Sequence, residues 1–501
     1  MKTINTIKKL HIPIWLFCLL VGVLVLRIPS LFEPYYYGDE MIYLALGNAI
    51  KKGMVLYKSI HDNKPPLLYL TAAIAGNLFW FRAILAIWHL MTVFVFWKLV
   101  RVLYPKKINL QKVSTCVFAL LTTLPLLEGN IANSEMFMIG PTMVGFLILL
   151  RKNQISGAPL VAGLAFSIGA LFKIPAAFDM PAIVLFWIIT QNFSSKDILI
   201  TIKKTVLLAV GFAVPILVTF VYYYFRGALS EYFIAAFGQN FGYLSSFRPD
   251  DTREPFLTRN GPLIFRGLTL LSGLGVLFLA RKKLSKQFIF LTTWLLLTMF
   301  AVTLSERPYP HYLIQSIPVV SIMIGILFTN KKIEQTLVII PLLVFFAIPV
   351  YYKFWYYPSA PYYVRYLDFV SGKITLDQYR SAFGNNVNVD YKVARFVIDN
   401  TTKDDKIFVW GDNAAIYAIT NRFPPFKYVV DYHINDFSTQ EDTIQALNAD
   451  LPKFIVILPN SQEFPDLVGL IKSKYGTETL IDGAQIWRLL NTPLRENYII
   501  D

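Results

Sequence analysis

Lys8 and Lys9 precede a run from Ile12 to Ile28 that reads IPIWLFCLLVGVLVLRI, with Arg27 as its only charged residue. A helix needs roughly 17 to 25 mostly apolar residues to cross the hydrocarbon of a bilayer, and this run meets that length. It continues past Arg27 without a small-x-small cleavage site, so it reads as an uncleaved anchor rather than a signal peptide. The same signature recurs near residues 82–103, 112–128, 136–150, 157–173, 176–192, 205–225, 261–280, 288–304, 312–329 and 334–351. Basic clusters at Lys98 to Lys112, Arg151 with Lys152, Lys196 to Lys204, Arg281 to Lys286 and Lys331 with Lys332 punctuate these stretches. Such placement is the positive-inside pattern, and it predicts eleven spans with the N-terminus inside and the C-terminus outside. The apolar segment Leu67 to Trp80 reads as an interfacial or re-entrant helix, because a full span there would put Lys98 to Lys107 on the outer side.

Composition agrees. Of 501 residues, 55% are hydrophobic and only 16% charged, against about 25% charged in an average soluble protein. The net charge of +15 divides unevenly: residues up to Tyr351 carry net +18 and those from Tyr352 onward net −3. We therefore expect a membrane domain over 1–351, with a first external loop at 29–66, and an external soluble domain over 352–501. A nucleic-acid binder would gather its cations on one face among stacking aromatics; here they interrupt apolar runs, which excludes nucleic acid as a partner. Cys18 and Cys116 both fall inside expected spans, so neither a disulfide scaffold nor a thiolate metal site is expected.

The soluble part reads as strand 406–410, helix 414–420, strand 428–430, helix 439–447, strand 454–458, helix 464–475 and a strand or hairpin over 479–489. Alternation of this kind predicts a small α/β domain. The fold class is thus a polytopic α-helical membrane protein with a C-terminal α/β domain.

Acidic residues mark where chemistry is placed. The first external loop opens Tyr35-Tyr36-Tyr37-Gly38-Asp39-Glu40, continues through Tyr43, Gly53 and Tyr57, and closes His61-Asp62-Asn63-Lys64-Pro65-Pro66. Two readings fit Asp39 and Glu40: a carboxylate beside a low-dielectric wall, poised to accept a proton, or two acids in the first turn of a helix. Lys64, braced by two prolines, is a compact cation suited to phosphate or a snorkelling side chain. Glu135 follows Asn133 and Ser134, which equally suit a helix N-cap. Lys173 stands at a span end, where an ionisable group is either functional or snorkelling. Arg307, Tyr309, His311 and Tyr312 crowd one short external loop, and the remaining histidines lack metal-ligand spacing. The aromatic stretch from Arg226 to Asn260 reads as an interfacial lid or as ordinary membrane-surface aromatics.

Gly38-Asp39-Glu40, Tyr43, Gly53-x-x-x-Tyr57, Lys64-Pro65-Pro66-Leu67, Asn133-Ser134-Glu135, Phe172-Lys173 and Arg307-x-x-x-His311-Tyr312 together resemble the GT-C membrane glycosyltransferases. The resemblance is to the branch of the protein O-mannosyltransferases and the aminoarabinose transferase acting on lipid A. It implies an inverting transferase that moves a sugar from a polyprenyl-phosphate donor to an acceptor hydroxyl at the outer face of a cytoplasmic membrane; the compact helices and short loops point to a bacterial one. Asp39 would be the general base, with Glu40 positioning it. Lys64 would bind the donor phosphate, Arg307 and His311 would neutralise the departing phosphate, and Tyr43, Tyr57, Glu135 and Lys173 would orient substrates. The acceptor could be lipid, glycan or protein. The sequence Gly38-Asp39-Glu40-Met41 departs from the Asp-x-Asp pattern of metal-dependent relatives, so no obligatory metal or other cofactor is expected. The alternative is a non-catalytic protein that binds or flips lipid-linked sugars with the same loop.

Overall fold

The computed structural model describes residues 12–152, 157–242, 255–305, 307–329 and 333–491. Lys8, Lys9, His11, Glu306, Lys331, Lys332 and the lid aromatics Tyr243 and Phe247 lie outside the described residues. All eleven apolar stretches are largely helical. Among the described residues, six helices are long and apolar enough to cross a membrane: Ile14–Phe32, Leu78–Leu103, Ser195–Phe225, Asn260–Ala280, Lys286–Thr303 and Ile333–Tyr351. The other five, Ile108–Leu121, Ser134–Leu150, Ala158–Phe172, Ile174–Thr190 and Ile317–Thr329, are shorter. Ile108–Leu121, Ala158–Phe172 and Ile317–Thr329 have only 14, 15 and 13 residues; at 1.5 Å per residue these three fall short of a hydrocarbon core of about 30 Å, and helix length alone does not give the eleven expected spans.

Shortness here has a local cause. Between Leu121 and Ser134 the backbone leaves the helix, with Glu128 in the left-handed region at φ 58° and buried. Irregular backbone at membrane depth is tolerated only where protein or a cavity surrounds it. The longer helices show the opposite character: 11% of the apolar window of Ser195–Phe225 and 6% of that of Asn260–Ala280 is buried, against 72% for Lys286–Thr303. Rows of bare Leu, Ile and Val such as Leu217, Val218 and Val221 need lipid as their solvent, and the chain is an integral membrane protein.

The chain divides into two compact units. One comprises the described residues up to Ile28, Ala83–Tyr222 and Phe237–Ser359; the other comprises Pro29–Arg82, Tyr223–Ala236 and the chain from Ala360 onward. The compositional break near residue 351 thus lies close to a unit boundary, but the first loop joins the unit of the C-terminal part.

In the first unit, helices Ala158–Phe172 and Ser195–Phe225 meet through glycines. A Cβ on Gly211 would stand 2.0 Å from the Leu160 carbonyl oxygen, and one on Gly163 would stand 2.2 Å from that of Leu208. Small residues that let backbones touch are the usual device for packing helices in lipid.

In the second unit, helix Gly38–Lys51 lies on the nine-residue helix Leu67–Ala75 by the same device, since a Cβ on Gly47 would meet the Ala73 nitrogen at 2.6 Å. Gly76, at φ 73°, ends the short helix in a left-handed cap. The C-terminal part carries strands β1 (Ile407–Trp410), β2 (Phe454–Ile457), β3 (Tyr475–Ile481) and β4 (Ala484–Leu489) in the order β1-β2-β4-β3. β1 and β2 are parallel; β4 pairs antiparallel with both β2 and β3. Phe408, Trp410, Ile455, Leu467 and Ile471 form the core beneath, so the α/β reading stands. The expected strand 428–430 is absent: the Lys427 carbonyl accepts from the His61 backbone N–H at 2.8 Å, and the chain turns into helix Asp431–Phe437. Helices Ser359–Val370, Leu376–Ser381 and Val387–Asn400 precede β1 and were not anticipated.

Replacing Gly211 with leucine forces this helix crossing apart. Overpacking usually costs about 1 to 3 kcal/mol, and clash with backbone leaves no rotamer escape. The variant is expected to lose its monodisperse peak on size exclusion in mild detergent, whereas Gly275→Leu, which meets nothing within 4 Å, is expected to keep it.

Candidate active site

The first turn of helix Gly38–Lys51 places its two acids in opposite environments. Glu40 is fully buried and Asp39 has a side chain 35% exposed. Arg82 holds Glu40 from two nitrogens, Nε to Oε1 at 3.0 Å and Nη2 to Oε2 at 2.5 Å. The same guanidinium pairs with Glu33 at 2.7 Å and donates to the Ser30 carbonyl at 2.8 Å. Tyr362 donates to Glu33 in turn. Glu40 is therefore a buttress for the loop, its carboxylate taken by Arg82.

Asp39 is the acid that a substrate can reach. Its Oδ2 accepts from the Tyr43 hydroxyl at 2.6 Å, one turn along, and lies 3.6 Å from Lys64 Nζ. The ammonium also lies 3.8 Å from Asp62 Oδ2 and 4.9 Å from the centre of the Tyr43 ring. Lys64 is thus fixed between two carboxylates over an aromatic face. Its backbone is fixed as well: its carbonyl accepts from Tyr57 at 2.7 Å, and its N–H donates to the Tyr69 hydroxyl at 3.2 Å. Tyr57 is fully buried at φ 73°, packed against Tyr223 and Tyr232. A side chain so enclosed orients Lys64 and does not itself meet a substrate. Burial, reinforced by Asp39 and Asp62, raises the Tyr43 phenol well above its ordinary range, so Tyr43 remains a proton donor to Asp39.

Asp62 and His433 complete this cluster, and neither was singled out from sequence. Asp62 is buried; burial alone would raise its carboxyl, but Lys64 and His433, helped by Tyr69 and the Asn63 N–H, hold it below the usual range. His433 Nε2 lies 3.8 Å from Asp62 Oδ1. Burial depresses the His433 imidazole, with Lys64 acting in the same direction and Asp62, Asp39 and Asp436 opposing. The two-residue spacing of Asp62 and Lys64 carried the only sequence signal; His433 comes from a different part of the chain and left none.

A second cluster lies in the other unit. Lys173, at the end of helix Ala158–Phe172, forms an ion pair with Glu135 and lies 4.0 Å from the Tyr312 ring centre. Ser134 Oγ donates to Glu135 at 3.0 Å. His311 is buried between two carboxylates, Nδ1 on Glu128 and Nε2 at 3.8 Å from Glu135. Asn133 occupies the N-cap position without capping the helix; its Nδ2 donates to Glu128 at 3.3 Å. Of the four residues expected here, Glu135, Lys173 and His311 come together, joined by Glu128. Arg307 is exposed in the segment before helix Pro310–Gln315. Among the described residues no group of three or more His, Cys, Asp and Glu side chains is arranged to hold a metal ion.

The chain aligns with ArnT from Cupriavidus metallidurans bound to undecaprenyl phosphate, at 14% identity and TM-score 0.55, over 94% of this chain and 97% of that one. The apo form of the same protein aligns at 13% identity and TM-score 0.56 over the same shares. The chain shares its fold with these two structures. No family model and no curated protein sequence matches the chain.

Acidification tests the Asp62–His433 arrangement. Because the folded imidazole is depressed below 6.5, the unfolded chain binds a proton that the folded chain refuses, and stability falls as pH drops from about 6.5. Asp62, depressed below 3.8, keeps its contribution in that range and loses it only at lower pH. Melting temperature measured from pH 8 to pH 5 should decline for wild type and decline less for His433→Gln; parallel curves would refute the assignment.

Proposed function

We propose that the chain is an inverting glycosyltransferase that moves a sugar from a polyprenyl-phosphate donor to an acceptor hydroxyl at the outer face of a bacterial cytoplasmic membrane. The observation that carries this reading is the reachable carboxylate of Asp39, held by the Tyr43 hydroxyl at 2.6 Å and standing 3.6 Å from the Lys64 ammonium. Inverting transfer needs a base on the attacking side and a cation for the phosphate. One cluster supplies both. The likeness of fold to a structure with undecaprenyl phosphate bound supports the class of donor.

In this mechanism Asp39 takes the proton of the acceptor hydroxyl as that oxygen bonds to the anomeric carbon. The bond from the anomeric carbon to the phosphate oxygen breaks, and its electron pair leaves with polyprenyl phosphate. General base catalysis typically contributes about 10²- to 10⁴-fold. Lys64 neutralises the phosphate, and a cation already braced by Asp62 and by hydrogen bonds to its backbone costs no reorganisation when charge develops. Tyr43 orients Asp39, and Glu40 acts at one remove by fixing the helix start on Arg82. Arg307 and His311 keep the charge-neutralising role that the resemblance implies, and Glu135 with Lys173 holds His311 in place. The acceptor is a lipid, glycan or protein hydroxyl, and the chemistry requires no metal.

Mass spectrometry of lipid co-purified in mild detergent tests the donor. A polyprenyl phosphate or its sugar ester should persist in Asp39→Asn, which should lose transfer at least 10²-fold, and should be lost from Lys64→Ala. Bulk phospholipid alone in all three proteins would sink the reading. Turnover should survive a chelator; activity lost in chelator and restored by Mg²⁺ or Mn²⁺ would overturn the metal-free mechanism.

A further inference from the structure

A cavity of about 450 Å³ opens in the C-terminal part of the second unit, away in sequence from Asp39 and Lys64. Its volume falls within the roughly 300 to 1,000 Å³ of small-molecule sites. Helix Val387–Asn400 lines it with Tyr391, Phe396, Asn388, Lys392 and Arg395; Arg380 comes from helix Leu376–Ser381. Three cations therefore converge with a single lining carboxylate, Asp377, in a stretch of chain whose net charge is −3.

The cationic rim is preorganised and exchangeable. The Arg380 guanidinium lies 3.7 Å from the centre of the Tyr391 ring, and the Tyr391 hydroxyl accepts from the Tyr35 N–H at 3.2 Å, which fixes the ring. Lys392 pairs with Asp482 at 2.6 Å and Arg395 with Asp399 at 2.8 Å. Both pairs are solvent-exposed, and such pairs are worth only about 0 to 1 kcal/mol, so an incoming phosphate or carboxylate can replace them. Asn388 spends its Nδ2 on the Asp377 carbonyl at 2.9 Å, while its Oδ1 has no partner among the described residues. The amide and guanidinium groups suit the hydroxyls of a sugar; the surplus of cations suits an anionic substituent.

We propose that this cavity binds an anionic glycan, a sugar bearing a phosphate or carboxylate group, and that the ligand is part of the acceptor. Only the word acceptor rests on the transferase reading. The experiment uses the full chain in nanodiscs of zwitterionic lipid, with saturation-transfer NMR of glucose 6-phosphate, glucuronate, glucose and inorganic phosphate. The two charged sugars should give saturation transfer, glucose at least tenfold less, and Arg380→Gln with Lys392→Gln should reduce the charged-sugar response at least tenfold. Arg395→Gln, a single exposed change, guards against misfolding of the double variant and should weaken it severalfold. Equal response in wild type and variants, or none from the charged sugars, overturns the site; full competition by inorganic phosphate alone overturns the glycan assignment. Asp39→Asn should bind the charged sugars as wild type does. Binding without any transferase activity would remove the acceptor label and leave the site, whereas transfer with no such binding would remove the site and leave the enzyme. In an active preparation, Arg380→Gln should raise the acceptor KM at least fivefold with kcat unchanged.

Discussion

One buried guanidinium organises the loop on which the proposed chemistry depends. Arg82 is bonded to Glu40, Glu33 and the Ser30 carbonyl with no exposed surface. Removing one member of a buried ion pair costs about 3 to 5 kcal/mol, because the partner charge is stranded; here two carboxylates would be stranded together. Held in this way, the start of helix Gly38–Lys51 cannot rotate, and neighbouring Asp39 is left facing the other way, toward Lys64. The selection between two adjacent acids is made by burial rather than by residue type.

Both clusters follow the same economy. Each places a lysine against a carboxylate with an aromatic face beneath: Lys64 with Asp39 over Tyr43, and Lys173 with Glu135 against Tyr312. Each adds a histidine near a second carboxylate, His433 at Asp62 and His311 at Glu128. A cation whose neighbours are already arranged pays little to meet an incoming anion, and an aromatic face attracts it further when water is excluded. The positions at which helices end early, around Glu128 and at Lys173, are where such groups gather, since a helix that stops short leaves both backbone and side chains turned inward.

Much of the fold was legible because lipid imposes a simple code. Apolar runs of sufficient length become helices, and all eleven runs did. Which of them are long enough to cross was not legible, because the stops at Leu121 and Phe172 are set by turns at Glu128 and Lys173 that hydropathy averages away. In the site, Asp39, Tyr43 and Lys64 could be named because they lie within one loop. Glu40 looked equivalent to Asp39, and only the position of Arg82, 42 residues later, separates them. Asp62 stood in view without a partner, since its histidine arrives from the end of the chain. Tyr57 was read as facing a substrate; its positive φ and full burial are consequences of Tyr223 and Tyr232, which no local pattern announces.

The Glu33–Tyr362 hydrogen bond joins residues 329 positions apart, and that from Tyr35 to Tyr391 spans 356. Contacts of such separation form late, since the loop entropy is spent before any bond repays it. During synthesis the segment bearing Asp39 emerges early and has no complete set of neighbours until Tyr362, Tyr391 and His433 have been made. A ribosome-bound or truncated chain lacking that part therefore carries the loop without Tyr362 or His433 to dock on it. Only a chain that includes its C-terminal part can assemble the surroundings of its first loop.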